Sequence, residues 1–479
     1  MSASERFDLI VIGSGPGGQK AAIQAVKAGR RVALVEREAA VGGACVHRGT
    51  IPSKTLRDAA LRATAVPVDP DAEIPPDIEV KSLTTRLEHV VRAHAEYMAR
   101  QLKRNGIFYL HGRARFASPN ELTVRALDGS SRTLVADLFV IATGSRPRAP
   151  KDIPIDHENV LDSDSILSMI YLPRSLTVLG GGVIASEYAS IFARLGVRVT
   201  MIDSAPRPLR FIDGEIVERF VGGFAANGGR YIGDRKISSV CWDGLSAVRS
   251  VLDDGTSIAS EKMLVALGRA ANVEDLALTA AGLAVDERGL VPVDEHCRTL
   301  QPHIYAVGDV IGPPALASTA MEQGRRAVCH ALGLEPGHPP ELSPIGIYTI
   351  PEIATVGLDE SEAVRRHGGV LVGRARFDEV ARGQIGGITD GLLKLIADPS
   401  GHKLLGAHIV GEGATELIHV AQMALLAGLD VDTFIENIFN FPTLAEAYRV
   451  AAFDLAEQRS STSTSTSASL PTRAAERAA

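Results

Sequence analysis

Residues 7–36 read FDLIVIGSGPGGQKAAIQAVKAGRRVALVE, and their order sets the fold of the N-terminal half. From Phe7 to Ile12 only Asp8 interrupts an apolar run, the pattern of a parallel strand covered on both faces. Gly13-Ser14-Gly15-Pro16-Gly17-Gly18 then matches G-x-G-x-x-G. An alanine-rich helix is expected over Gln19–Ala28, stopped by Gly29, and Arg31–Glu36 reads as the next strand. This opens a βαβ unit of about 30 residues. In such a turn the first glycine permits the tight bend and the second lets backbone approach a pyrophosphate. The third allows close packing of helix on strand. The helix N-terminus offers N–H groups and a positive dipole end to the phosphates. Glu36 ends the second strand, 18 residues beyond Gly18, where a carboxylate can accept from both hydroxyls of an adenosine ribose. Gly13, Gly15, Gly18 and Glu36 are therefore candidate dinucleotide ligands.

Working outward, the pattern recurs. Strand Ser175–Leu179 precedes Gly180-Gly181-Gly182-Val183-Ile184-Ala185, a helix over Ile184–Leu195 follows, and Arg198–Ile202 is the next strand. Asp203 ends it, 18 residues after Ala185. Gly180, Gly182, Val183, Ile184, Ala185 and Asp203 are candidates for a second dinucleotide site. The two turns lie 167 residues apart, far too long a period for a solenoid, so two separate nucleotide sites are expected. Three more apolar strands run into expected ligand crevices at their carboxyl ends. Leu138–Ala142 leads to Thr143-Gly144, Met263–Leu267 to Gly268, and Ile304–Val307 to Gly308-Asp309. Between the units, three- and four-residue spacing of Leu87, Val90, Val91, Ala95, Met98 and Leu102 predicts a long helix over Ser82–Asn105.

Composition narrows the classes. At 479 residues, with 45% hydrophobic and 22% charged, the chain is an ordinary globular protein of about three domains. Glycines number 46 and aromatics are 5%, which suits tight strand-to-helix turns and not base stacking on aromatic rings. The net charge of -7 argues against a partner in nucleic acid or a membrane surface. The cysteines are Cys45, Cys241, Cys297 and Cys329, with no Cys-x-x-Cys pair, so no metal site and no disulfide scaffold are expected. No apolar stretch is long enough to span a bilayer or serve as a signal-peptide core, and a cytoplasmic location is expected. The proline-rich stretch Gly333–Pro344 (GLEPGHPPELSP) reads as a linker. From Arg459 the chain is dominated by Ser, Thr and Ala and reads as a disordered tail.

Between the turns lies Gly42-Gly43-Ala44-Cys45-Val46-His47-Arg48-Gly49-Thr50-Ile51-Pro52-Ser53-Lys54. Together with Ala142-Thr143-Gly144-Ser145, Gly268 to Asn272 and Tyr305 to Asp309, it resembles the FAD- and NAD-linked disulfide oxidoreductase family. The resemblance spans about residues 7–457. It implies an α/β fold: two Rossmann-like dinucleotide-binding domains, for FAD and NAD(P), plus a C-terminal α+β dimerisation domain. The boundaries implied are 1–150 with 275–340 for FAD, 151–274 for NAD(P), 341–458 for dimerisation and 459–479 for the tail. It further implies cofactor contacts from Arg37, Gly42, Gly43, Cys45, Lys54, Ala114, Thr143, Gly144, Ser145, Glu187, Asp309, Ala317, Gly268 and Arg269, and a homodimer or higher oligomer.

The departures decide the expected chemistry. The family's redox disulfide would pair Cys45 with a cysteine at position 50, but Thr50 stands there. The family's catalytic histidine would stand at Phe441, with Glu446 five residues on. Disulfide reduction needs a dithiol relay and a base to protonate the leaving thiolate, and both are absent. What remains is hydride exchange between a nicotinamide and flavin N5. GTIPSK (Gly49 to Lys54), DSDSILSM (Asp162 to Met169), GIYTIPEI (Gly346 to Ile353) and PTLAEAYRVAA (Pro442 to Ala452) resemble the soluble pyridine nucleotide transhydrogenase subgroup in particular. The expectation is a ping-pong enzyme that uses FAD and takes NAD(H) and NADP(H) as substrates. The alternatives are a diaphorase or dihydrolipoamide dehydrogenase-like flavin reductase, and a redox sensor that does not turn over.

By resemblance, Lys54 lies beside flavin N5 and pairs with Glu187, and these two are the expected catalytic residues. At about 4 Å and an effective dielectric of about 20, such a charge acts with about 4 kcal/mol before desolvation. Asp309 is expected to bond the ribityl chain, the lone Cys45 to be a packing residue, and His47 and Arg48 to make local contacts. Asp203 favours NAD through a ribose diol, whereas Arg207 and Arg210 could pair a 2′-phosphate. Val183 replaces the gating tyrosine of glutathione reductase-like sequences and implies an open nicotinamide pocket.

Overall fold

The computed structural model describes residues 5–64, 80–338 and 341–467. They gather into two compact units. One takes Met1–Ala185, Arg194–Ser204 and Arg235–Pro339; the other takes Ser186–Ala193, Ala205–Asp234 and Pro340–Ala479.

The first unit contains both parallel sheets. In one, strands Phe108–His111, Val32–Glu36, Glu5–Ile12 and Ser131–Ile141 lie side by side in that order, all parallel, and Ile304–Ala306 joins Ser131–Ile141 in parallel. Register aligns Ile12 with Val35 and with Ile141, and Ile141 with Ala306. The carboxyl ends therefore share one edge, and Gly13, Thr143 and Gly308 leave the sheet together. Strand Val32–Glu36 is buried along its length and Glu5–Ile12 from Leu9 onward, which is why these stretches read as nearly unbroken apolar runs. The helix expected after the first strand runs from Pro16 to Lys27, with proline in its first turn. It packs on helix Ala317–Ala331 so closely that a Cβ on Gly324 would stand 2.1 Å from the Gly17 carbonyl oxygen.

The second sheet of this unit runs Arg198–Ile202, Ser175–Leu179, Lys262–Val265, Val160–Asp162, again all parallel. Its register aligns Ile202, Leu179, Val265 and Asp162. The second glycine turn, Asp203 and Ala266 thus emerge at a common edge.

The other unit is built on an antiparallel sheet in the order Ile345–Ile347, Ile353–Gly357, Leu404–Val410, Leu392–Ala397, Leu371–Arg376. Helices Ala414–Leu426 and Ala447–Ser467 supply Ile418, Ala421, Tyr448 and Leu455 to its core. The tail expected to begin disordered at Arg459 instead continues this helix to Ser467. The cause is tertiary: the Arg459 guanidinium bonds Asp432 and lies 2.7 Å from His402 Nδ1. Ser460 Oγ bonds back to the Ala456 carbonyl four residues earlier. Residues 468–479 lie outside the described residues. Among the described residues no helix is long and apolar enough to cross a membrane.

Candidate functional site

The first glycine turn is shaped by contacts that only glycine permits. Gly13 has φ +104°, and a Cβ there would stand 2.4 Å from the Ala142 carbonyl oxygen. A Cβ on Gly18 would stand 2.0 Å from the Gly13 carbonyl oxygen. Gly15 differs: a Cβ there would meet nothing within 4 Å, so the space above it is open at the N-terminus of helix Pro16–Lys27. The motif requires that cradle for a diphosphate.

Glu36 is buried at the end of its strand. Its Oε2 accepts from the Ser14 N–H at 2.9 Å and the Ser14 hydroxyl at 2.6 Å, and its Oε1 accepts from the Glu38 N–H at 2.9 Å. A carboxylate has about four acceptor directions, so about one is left for a ribose hydroxyl, not two. Ser14 Oγ also accepts from the Gly42 N–H at 3.0 Å, which joins the first turn to Gly42 and Gly43, both at positive φ. Arg37 pairs with Glu38 at 3.5 Å, Ala114 is buried in its strand, and Ala317 opens helix Ala317–Ala331.

On the neighbouring strand ends, Ser145 Oγ donates to Asp309 Oδ2 at 2.5 Å and accepts from Arg269 Nε at 2.7 Å. Asn272 ties both sides of the same loop: its side chain donates to the Thr143 carbonyl and its N–H to the Gly144 carbonyl. Thr143 Oγ1 is buried and bonds nothing among the described residues. A buried hydroxyl without a partner costs about 1–3 kcal/mol, which a bound polar ligand would recover. Gly144, at φ +66°, faces open space. An orphaned hydroxyl and two open glycine positions along one sheet edge fit an extended dinucleotide. Arg269 thus stands with Asp309 and Ser145, on the side of the first site.

Two residues passed over in the sequence belong here. Gln323 accepts the Gly308 N–H at 2.9 Å and fixes the turn that carries Asp309. Asp164, quoted only within its motif, has a buried Oδ1 without a partner among the described residues and pairs loosely with Arg48 at 3.7 Å. Burial raises its carboxyl above the ordinary range, against the pull of Arg269 and Arg48. The doubled Asp-Ser of Asp162 to Ser165 was the available signal: Asp162 Oδ1 accepts two backbone N–H groups and leaves Asp164 to point elsewhere.

The second turn repeats the first in its backbone. Gly180 has φ +121° and a Cβ there would lie 2.6 Å from the Ala266 carbonyl oxygen, whereas Gly182 and Gly268 face open space. Val183 and Ile184 are half-buried at the start of helix Val183–Arg194, and Ala185 is fully buried. The Asp203 carboxylate lies over the turn, within 3.1 Å of where a Gly181 Cβ would be. Arg207, expected to meet a phosphate, donates to the carbonyls of Ile212 and Arg210 at 3.2 and 3.4 Å, while Arg210 is exposed.

Two family models match: pyridine nucleotide-disulphide oxidoreductase over residues 7–324, and the dimerisation domain of the same family over 343–452. The chain belongs to this family. A soluble pyridine nucleotide transhydrogenase of Mycobacterium tuberculosis is 42% identical over 94% of this chain and 97% of its own. One of Shigella flexneri is 41% identical over 95% and 99%. Among solved structures, LpdA of Mycobacterium tuberculosis superposes with TM-score 0.85 at 27% identity, covering 94% of this chain and 99% of that one. The HOCl-induced flavoprotein disulfide reductase RclA of Escherichia coli, as a Cu(II) complex, superposes with TM-score 0.85 at 26% identity over 94% and 99%.

Against that family the thiol region stands out. Cys45 sits in the short helix Gly43–His47 as a free thiol, and Thr50, where a disulfide-reducing member carries its second cysteine, opens the next helix. Burial pushes the Cys45 thiol up, more than the Thr50 hydroxyl and the Lys54 charge pull it down. It is therefore protonated at neutral pH and a poor nucleophile. Lys54 lies half-buried on helix Thr50–Ala63, with Nζ 3.3 Å from Ser53 Oγ. Glu187 is buried and its Oε1 accepts the Tyr348 N–H at 2.9 Å. His47 Nε2 lies 2.9 Å from the Val41 carbonyl oxygen, a local contact, whereas Arg48, expected to be local too, pairs with Glu38 at 3.3 Å and with the distant Asp164. Phe441 is 74% exposed, and Glu446 accepts the Thr443 N–H as a helix cap. No proton-transferring side chain stands at position 441.

Proposed function

We propose that the protein is a FAD-dependent NAD(P)+ transhydrogenase: NADPH + NAD+ ⇌ NADP+ + NADH, in two half-reactions at one flavin. The observation that carries this reading is Thr50 in place of the second cysteine of the disulfide relay, which leaves Cys45 a free thiol, together with two glycine turns with open cradles. When bound, FAD supplies the flavin that takes a hydride from one nicotinamide and returns it to another. Gly15, Glu36, Thr143 and Asp309 hold and orient it, and Gly182 with Asp203 receives the nicotinamide coenzyme. Lys54 and Glu187 take the positions that the family resemblance puts at the flavin ring. A lysine there stabilises negative charge on the ring system and needs no proton relay.

The reading includes a homodimer. Within the span of the family's dimerisation domain, Ile438 is 96% exposed, Phe441 74% and Met423 55%. Large apolar side chains at such exposure are suited to a partner. It also includes a cytoplasmic location, because Cys45, Cys241, Cys297 and Cys329 are all free thiols.

The test is acceptor choice by the purified flavoprotein. NADPH should reduce thio-NAD+ rapidly, with parallel-line initial-rate kinetics. Reduction of a quinone alone would replace this reading by a diaphorase, and robust reduction of lipoamide by NADH would overturn it.

A further inference from the structure

The stretch Gly346 to Ile353 (GIYTIPEI) links strands Ile345–Ile347 and Ile353–Gly357, within the span of the dimerisation model. It nevertheless shares one compact unit with Ser186–Ala193 of helix Val183–Arg194, which lies within the span of the other family model. Two backbone N–H groups of the link are taken up by side chains of that helix. Glu187 Oε1 accepts the Tyr348 N–H at 2.9 Å, and Ser190 Oγ accepts the Ile350 N–H at 3.1 Å. Glu187 and Ser190 are three residues apart and share a helix face, and Tyr348 and Ile350 are alternate residues of the link. Glu187, Ser190 and Ile350 are all buried.

Ser190 works in both directions. Its hydroxyl also donates to the Glu187 carbonyl at 3.0 Å, so it joins the backbone of Glu187 to the link that holds the Glu187 carboxylate. The link is fixed from its other side as well. Thr349 Oγ1 donates to the Pro351 carbonyl at 2.6 Å, and the Glu352 carboxylate accepts the Thr415 hydroxyl at 2.9 Å. Pro351 packs on helix Gly214–Ala226, where a Cβ on Gly223 would stand 3.1 Å from Pro351 Cδ. Ser186 supplies a contrast. It is one turn earlier on the helix and equally buried, yet its hydroxyl bonds nothing among the described residues.

We propose that Ser190 is a positioning residue for hydride transfer. Its hydroxyl locks the link onto the helix, and the Tyr348 N–H then fixes the Glu187 carboxylate. The terminal torsion of a glutamate is otherwise broad, and pinning one oxygen leaves the other a single direction. Preset geometry of this kind lowers a barrier without new contacts to the coenzyme. The dimerisation region thus takes part in the hydride step of its own chain. This inference rests on the role proposed for Glu187 at the flavin ring.

Stopped-flow reduction of the FAD-loaded protein by NADPH separates the limiting rate from the apparent affinity. Ser190→Ala should slow the limiting rate about tenfold, the size of one lost buried hydrogen bond, and leave the apparent Kd within about twofold. Ser186→Ala removes an equally buried hydroxyl and should leave both unchanged. Glu187→Gln should slow reduction too. Adding Ser190→Ala to it should cost little more, because the serine acts through the glutamate. Amide hydrogen exchange on the same holoenzymes reads the support directly: in Ser190→Ala both Tyr348 and Ile350 should exchange faster. A rate for Ser190→Ala equal to that of Ser186→Ala, rate effects of Ser190→Ala and Glu187→Gln that multiply, or faster exchange at Ile350 alone would each overturn the proposal. The assay uses no acceptor, so a diaphorase would meet it equally. A parent flavin that NADPH does not reduce would overturn this proposal and the hydride-transfer reading together. A reducible parent with a rate-neutral Ser190→Ala would overturn this proposal alone.

Discussion

The carboxylate of Asp203 overhangs the glycine turn opposite it: the nearest approach from a Cβ built on Gly181 to Asp203 Oδ2 is 3.1 Å. The acid is aimed at the turn, where the adenosine ribose of a coenzyme lies in this type of fold. It can accept from a ribose diol and repels a 2′-phosphate. Asp203→Ala should therefore weaken NADH and improve NADPH, with each effect roughly tenfold to 150-fold. Rapid-reaction flavin reduction by each coenzyme reads this directly. An unchanged ratio of apparent affinities would mean that Asp203 does not face the ribose. Arg207 is tied to its own loop carbonyls, so Arg210→Ala should cost NADPH more than Arg207→Ala does.

Gly15 and Gly18 separate cofactor binding from folding. A Gly18→Ala methyl would stand 2.0 Å from the Gly13 carbonyl oxygen, so the turn itself must move. Overpacking of that kind costs about 1–3 kcal/mol or more, and the variant should melt earlier even without flavin. Gly15 has φ -66° and open space at its Cβ position, so Gly15→Ala should fold normally. Its methyl would occupy the cradle, and the purified protein should be colourless. Full flavin content in Gly15→Ala would show that the diphosphate passes elsewhere.

Both glycine turns were legible because a glycine turn is local: strand, turn and helix are written in consecutive residues. Thr143, Ser145 and Asp309 were legible as one group through family motifs, whereas Arg269 joining them on Ser145 was not. What escaped was tertiary. Ser14 closes on Glu36 across 22 residues and limits what Glu36 can offer a ribose. Helix Ala447–Ser467 runs through a Ser/Thr-rich stretch that composition marks as disordered, and Arg459 bonded to Asp432 anchors it there. Lys394 interrupts the apolar strand LLKLIA, and its partner Asp213 lies 181 residues away.

That lysine yields a pH prediction. Lys394 is 2% exposed, with Nζ at 3.0 Å from Asp213, 3.2 Å from Glu215 and 2.6 Å from Glu360. Burial alone would raise the Asp213 and Glu215 carboxyls, but the surrounding cations, Lys394 for the first and Arg374 with Lys394 for the second, hold both below the ordinary range. Their contribution to stability is present above an unfolded value of about 4 and is lost as pH falls through the folded values. Burial would lower Lys394, but its carboxylates hold it above its ordinary value, so its contribution persists up to about pH 10. Lys394→Met should destabilise by about 3–5 kcal/mol at pH 7, the cost of leaving the buried Asp213 carboxylate uncompensated. Thermal melting against pH should show the deficit shrinking below about pH 4. A deficit that stayed constant into acid would assign it to packing rather than charge.

The thiol gives the last prediction. Cys45 has no sulfur partner, and burial holds it protonated at neutral pH. A protonated thiol neither attacks a disulfide nor forms a charge-transfer pair with a flavin. Hydride transfer between nicotinamide and flavin needs neither step, so Cys45→Ser should keep most transhydrogenase activity, within about threefold of the parent, a change of under 1 kcal/mol in the barrier. Thr50→Cys supplies the missing sulfur but not the base absent at Phe441, so it should form a reducible disulfide and still fail to reduce lipoamide. Thiol titration and lipoamide assays on that variant separate the two requirements. If Cys45→Ser lost nearly all activity with its flavin still bound, the lone thiol would act in the hydride steps. If Thr50→Cys alone reduced lipoamide at enzyme-like rates, the exposed Phe441 would not be what blocks disulfide chemistry.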